Sequence, residues 1–134
     1  MQIMLCLVML ICACKPGSKI STYDQLTVSA WELNALDGKA VDAKEFMKGL
    51  PFLAFDKDGR YTGSSGCNSM SGSYEAKNNN IILSPAAMTR MACPGNGEKL
   101  FLDALQKVKN LEFTGGKLVL LDGATEIMTF VPGK

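Results

Sequence analysis

Histidine is absent from the 134 residues. That absence removes the Ser-His and Cys-His catalytic pairs, His-ligated metal sites and a histidine pH switch together. A dominant charge is also lacking: 14 Lys+Arg stand against 13 Asp+Glu, a net charge of +1. Non-specific nucleic-acid binding needs a strong basic field, so nucleic acid is excluded as a partner. Aromatic residues make up 7% of the chain, with a single Trp, and the length suits one domain rather than two. Disorder is excluded as well, because 47% of the residues are hydrophobic and 20% charged.

The longest apolar stretch lies at the N-terminus. Ile3 to Ala13 reads IMLCLVMLICA, too short for a transmembrane helix of ~20 residues but suited to a secretory leader. Ile11-Cys12-Ala13-Cys14 resembles a bacterial lipobox, in which the closing cysteine is diacylated. Met1-Gln2 departs from that pattern, since it supplies no Lys or Arg. The expectation is a signal peptide over 1–13, lipidation at Cys14 and a polar tether over 14–25, followed by a domain over 26–132. Lys15 rather than Asp follows the cysteine, which by similarity to enterobacterial sorting rules directs the protein to the periplasmic face of the outer membrane.

The body reads as short strands plus one helix. Asp37-Gly38, Asp58-Gly59, Asn78-Asn79-Asn80, Gly115-Gly116 and Asp122-Gly123 separate apolar runs, and such pairs supply the positive φ of tight hairpins. The strands are expected at 29–35, 52–55, 60–64, 70–75, 81–83, 86–89, 111–113, 117–121 and 127–131. Both faces are apolar in Phe52–Phe55 and Leu118–Leu121, as in strands covered on two sides. From Glu98 to Lys109, Leu100, Phe101, Ala104, Leu105 and Val108 fall on one helical stripe, with Asn96 as the expected N-cap. A second, short helix is expected over 42–48, capped by Asp42 and stopped by Gly49. Trp31 shares a strand face with Leu33 and Ala35 and is expected in the core.

These residues together resemble the META/HslJ family of small bacterial envelope domains. Trp31-Glu32-Leu33 and Gly38 resemble its opening strand and turn. Phe55, Gly59 and Gly63 lead into Gly66-Cys67-Asn68, then Gly72 and Tyr74, the family's hallmark run. Thr89, Met91, Ala92 and Cys93 match a second block, Glu98, Phe101, Leu102 and Leu105 the helix, and Leu118, Leu120, Asp122 and Phe130 the closing hairpin. The resemblance implies a mainly antiparallel, barrel-like β fold (α+β) with one helix packed on it at about 98–109. It is associated with stress responses and motility, and brings no catalytic residues with it.

Several constellations invite a chemical reading. Gly63 to Ser69 is small and polar, and two readings stand: a nest of amides that binds an anion, or a strand-to-strand corner with no room for larger side chains. The corner is favoured, and no Lys-Ser/Thr follows to make a phosphate loop. Asp56-Lys57-Asp58-Gly59 fails as a calcium loop, because Ala54 and Ser65 fall on ligand positions. The scattered methionines are read as core filler rather than a copper site. Once Cys6 and Cys12 leave with the leader and Cys14 is acylated, Cys67 and Cys93 remain. An even pair in an exported domain is expected to form a disulfide, against the alternative of two buried thiols.

The function expected from all this is a membrane-tethered envelope domain without catalytic activity, cofactor or metal. It would support envelope integrity or stress tolerance by binding, as a monomer held to the lipid bilayer by its acyl anchor. Its other partner is an unidentified protein or small-molecule ligand. Two other classes stand beside it: a binding or inhibitor module acting through its loops, and an enzyme that uses Ser, Asp or Glu without His.

Overall fold

The structure, a computed structural model, describes Gly17 and residues 19–133. The expected leader 1–13 and Cys14 lie outside the described residues. The first element is a helix, α1 (Thr22–Thr27), whose N-cap Ser21 accepts a hydrogen bond from the Asp24 amide. It occupies residues expected to be tether, and the folded body therefore starts ahead of residue 26. The physical reason is burial: Leu26 is fully enclosed in the core, and the Tyr23 ring packs at 5.6 Å from that of Tyr74.

The strands follow as β1 (Trp31–Leu36), β2 (Lys39–Ala40), β3 (Phe52–Phe55), β4 (Arg60–Ser64), β5 (Ser69–Lys77) and β6 (Asn80–Met88). Then come helix α2 (Gly97–Lys107) and strands β7 (Asn110–Thr114), β8 (Lys117–Asp122) and β9 (Thr125–Pro132). The expected short helix over 42–48 is a single 3-10 turn at Ala43–Glu45, with the Asp42 side chain accepting from the Lys44 amide. All the strand pairings are antiparallel, and β1 also pairs with β9, so the sheet closes into a ring. β3 and β2 share the other edge of β1, β3 at Trp31–Glu32 and β2 at Ala35–Leu36.

Hairpin turns at Asp37-Gly38, Asp58-Gly59, Asn78-Asn79, Gly115-Gly116 and Asp122-Gly123–Ala124 connect the neighbours as the turn residues required. The two short strands expected around Pro85 are one strand, β6. A register shift opposite Ser71/Gly72 absorbs the proline region, and Pro85 survives in it because β6 has an open edge there.

Leu53, Tyr61, Leu118, Leu120 and Phe130 point into the ring with Trp31, which is 3% exposed and donates its indole N–H to the Leu26 carbonyl at 2.9 Å. β8 is buried on both faces, as its sequence indicated. β3 is not: Leu53 and Phe55 face the core while Phe52 remains 39% exposed. On α2, Phe101, Ala104 and Leu105 face the core, whereas Leu100, placed on the same stripe from sequence, is 51% exposed. Val108 ends the helix in extended conformation and starts the approach to β7.

Candidate functional site

The corner between β4 and β5 is closed from within. The Ser64 hydroxyl accepts from the Gly66 amide at 3.0 Å, and the Ser65 hydroxyl accepts from the Cys67 and Asn68 amides at 3.3 and 2.8 Å. Three successive N–H groups that an anion-binding nest would offer are thus taken by the chain's own hydroxyls. The Glu98 carboxylate, from the first turn of α2, accepts from the Ser65 hydroxyl and, at 2.8 Å, from the Asn68 amide nitrogen. An incoming anion would meet a carboxylate there rather than free donors. The sequence's corner reading is the one the geometry supports.

Asn68 is 2% exposed and uses its whole hydrogen-bonding capacity. Its nitrogen donates to Glu98 and, at 3.1 Å, to the Met91 carbonyl; its oxygen accepts from the Thr89 hydroxyl at 3.0 Å and the Met91 amide at 2.6 Å. One side chain thereby ties the corner, the segment after β6 and the start of α2. Cys67 and Cys93 are joined in a disulfide across the same junction, with Cα atoms 6.0 Å apart. Gly66 has φ +86°, and a Cβ there would run into the Phe46 ring. Gly66, Cys67, Asn68, Thr89 and Cys93 therefore come together, and they fasten three segments.

An opening lies on the other flank of α2. Antiparallel to β7, β6 meets Asn110 at Asn80, its one register pair, and the Ile81 amide donates to the Lys109 carbonyl at 3.1 Å. Beyond Ile81 the residues that should continue the ladder are Val108 and Lys107, which end α2. A helix offers no backbone ladder, so Ile82–Met88 runs beside a helix instead of a strand. The space left is a groove of about 860 Å³, within the range of small-molecule sites. One wall is β6, from Ile81 to Met88; the other is Leu102, Leu105, Gln106 and Val108; Met70 lies in the floor. The charged residues lining it are Arg90 and Lys109, both cationic. Lys109 is paired with Asp122 at 3.3 Å, while Arg90 has no carboxylate partner among the described residues.

Perturbed titrations lie away from both places. Burial, with help from the Tyr23 hydroxyl and Asp56, pushes Tyr74 up to about 12, and burial also raises Tyr61. The Ser21 and Lys57 side chains lower Asp24. No group of three or more Cys, Asp or Glu side chains fit to hold a metal ion occurs among the described residues.

The model of the META domain matches residues 24–134. The chain belongs to the META domain family. A solved NMR structure aligns with this META domain at TM-score 0.67 and 24% identity, covering 84% of this chain and 96% of that one. A DUF4847 family protein from Bacteroides vulgatus aligns at TM-score 0.62 and 17% identity, covering 81% and 95%. An NMR structure of a protein from Burkholderia xenovorans gives TM-score 0.62 and 21% identity, covering 90% and 95%. At these identities the likeness is one of fold. Comparison with curated proteins gave no match.

The META hallmark residues explain the locked corner. The groove carries no hallmark, and sequence reasoning missed it: it pointed to loops as the ligand-contacting parts, whereas the opening lies on a strand edge and a helix flank. The one available signal was Pro85 inside an apolar run, which marks an edge strand.

Proposed function

We propose that this META domain is a membrane-tethered envelope protein that works by binding rather than by catalysis. Acylation of Cys14 after removal of 1–13 would anchor it to the bilayer, facing the periplasm, where it supports envelope integrity or stress tolerance. The observation that carries the reading is the groove between β6 and α2, apolar, preformed and open to solvent. Two serines touch a carboxylate among the described residues: Ser21, on Asp24, is the N-cap of α1, and the non-catalytic part is supported by the other, Ser65, on Glu98. It is fully buried and its hydroxyl is engaged with Glu98 and the Asn68 amide, so no substrate reaches it.

The test is uptake of N-phenyl-1-naphthylamine, a neutral dye that brightens in apolar surroundings, by the full chain held in amphipol. Saturable uptake that Ala87→Trp or Leu102→Arg removes, one variant on each wall, is the expected result. Uptake indifferent to both variants would contradict a binding role for the groove. Mass spectrometry of the membrane fraction checks the anchor: Cys14 is expected to carry acyl chains, and an unmodified Cys14 would contradict tethering.

A further inference from the structure

A groove of this kind admits either a peptide strand or a hydrocarbon chain, and the backbone of β6 separates them. Strand addition needs alternate residues of the edge to offer both N–H and C=O. The Ile81 amide points to the α2 side, towards Lys109. Alternation then turns Leu83 and Pro85 the same way, and Ile82 and Ser84 towards β5. Pro85 has no N–H, and the register shift opposite Ser71/Gly72 breaks the alternation directly after it. Leu83 and Met88, on opposite sides of the proline and the shift, are the complete donor–acceptor positions along this stretch, since the Thr89 amide donates to Ser69 on β5 and alternation turns Met88 outward. A partner strand would leave most of its own backbone unsatisfied against an aliphatic wall, at a cost of several kcal/mol.

A hydrocarbon chain needs no directional partner. Met70, Ile81, Leu83, Pro85, Met88, Leu102 and Leu105 give it aliphatic surface on both sides, with methionine at one end to adapt to its course. From Ile81 to Met88 the wall runs roughly 23 Å at strand rise, long enough for an extended sixteen-carbon chain. Charge then selects the head. No acidic side chain lines the groove, Lys109 is engaged by Asp122, and Arg90 at the Met88 end offers an unpaired planar fork that fits a carboxylate.

We propose that the groove between β6 and α2 binds one free fatty acid, its chain laid along Ile81–Met88 and its carboxylate held by Arg90. The proposal rests on the binding role of the groove and names its ligand class. A lipid-directed site also suits a domain tethered at a membrane surface.

The experiment uses the full chain in membrane vesicles with a palmitic acid probe carrying a mid-chain diazirine, photolysed and mapped by mass spectrometry of peptides. Labelling is expected within residues 80–90 and 102–109, competed by unlabelled palmitate and lost in Ala87→Trp and Leu102→Arg. Arg90→Gln is expected to weaken the palmitate probe at least tenfold, about 1.4 kcal/mol. A hexadecanol probe of the same length should bind wild type and Arg90→Gln alike. Labelling spread over other faces, or unaffected by excess palmitate, would overturn the proposal. So would capture of a peptide strand or a second copy of the chain at the groove in place of the probe. If the neutral dye still enters while palmitate does not, the acyl assignment falls and the groove's binding role stands; if neither enters, both fall.

Discussion

The two flanks of α2 stand in opposite surroundings. At its N-terminal end, Glu98 is held by Ser65 and Asn68, the Cys67–Cys93 disulfide lies alongside, and the Ser64 and Ser65 hydroxyls accept from the Gly66, Cys67 and Asn68 amides. Along its other flank, Leu102, Leu105 and Val108 face β6 across a groove with no hydrogen-bond ladder. The first region is saturated, so a ligand finds no unsatisfied group to bind; the second leaves apolar surface and one cation unmatched. The most distinctive sequence motif in this chain marks stability, and open apolar surface arises where the ring of strands gives way to a helix.

Substitutions sharpen this contrast, beginning with the largest expected effect. Trp31, buried in the core, sets the scale: Trp31→Ala should lose about 3–5 kcal/mol in urea unfolding. Removing the disulfide with Cys67→Ser and Cys93→Ser together should cost about 3–4 kcal/mol, the loop-closure entropy of the cross-linked segment. Asn68→Ala deletes four hydrogen bonds at a buried site and strands Thr89, Met91 and Glu98; a loss of about 2–3 kcal/mol is expected by the same assay. In the groove, Ala87→Trp adds a side chain to an exposed position and should stay within about 0.5 kcal/mol of wild type. An Ala87→Trp protein as damaged as Asn68→Ala would erase the contrast.

A smaller effect concerns pH. Tyr74 is raised to about 12 by burial and by the nearby Tyr23 and Asp56, while its hydroxyl donates to the Asp56 carbonyl. The folded state thus favours the neutral phenol. Its contribution is complete below the unfolded value near 10 and disappears as pH rises from there through about 12. Thermal unfolding between pH 9 and 12 should show a steeper decline for wild type than for Tyr74→Phe. Equal slopes would remove Tyr74 from the alkaline transition.

Local chemistry made much of the fold legible. The Asp-Gly and Gly-Gly pairs located the hairpins because positive φ is a demand on single residues, and β3 and β4 fall on their expected bounds. The Cys67–Cys93 bridge followed from counting the cysteines left once Cys6, Cys12 and Cys14 were set aside on the expectation of an exported domain. Other features depended on partners distant in sequence. α1 forms in a polar stretch because Leu26 and Tyr23 find the barrel, and the Asn68 network depends on Thr89, Met91 and Glu98 arriving from two other segments. The groove was the least legible, since it consists of a pairing that β6 and β7 do not make. Its only trace was Pro85, which fell between the strands expected at 81–83 and 86–89 and lies inside the single strand β6 at an open edge.

The most direct test of the division between corner and groove is a paired measurement of dye affinity and Tm in Asn68→Ala and Ala87→Trp. Asn68→Ala is expected to lower Tm by roughly 10 °C while the folded protein keeps its affinity for N-phenyl-1-naphthylamine within about twofold. Ala87→Trp is expected to keep Tm and lose affinity at least tenfold, about 1.4 kcal/mol. The reverse pattern, dye binding lost in folded Asn68→Ala and intact in Ala87→Trp, would place the binding site at the corner and contradict the assignment of the groove.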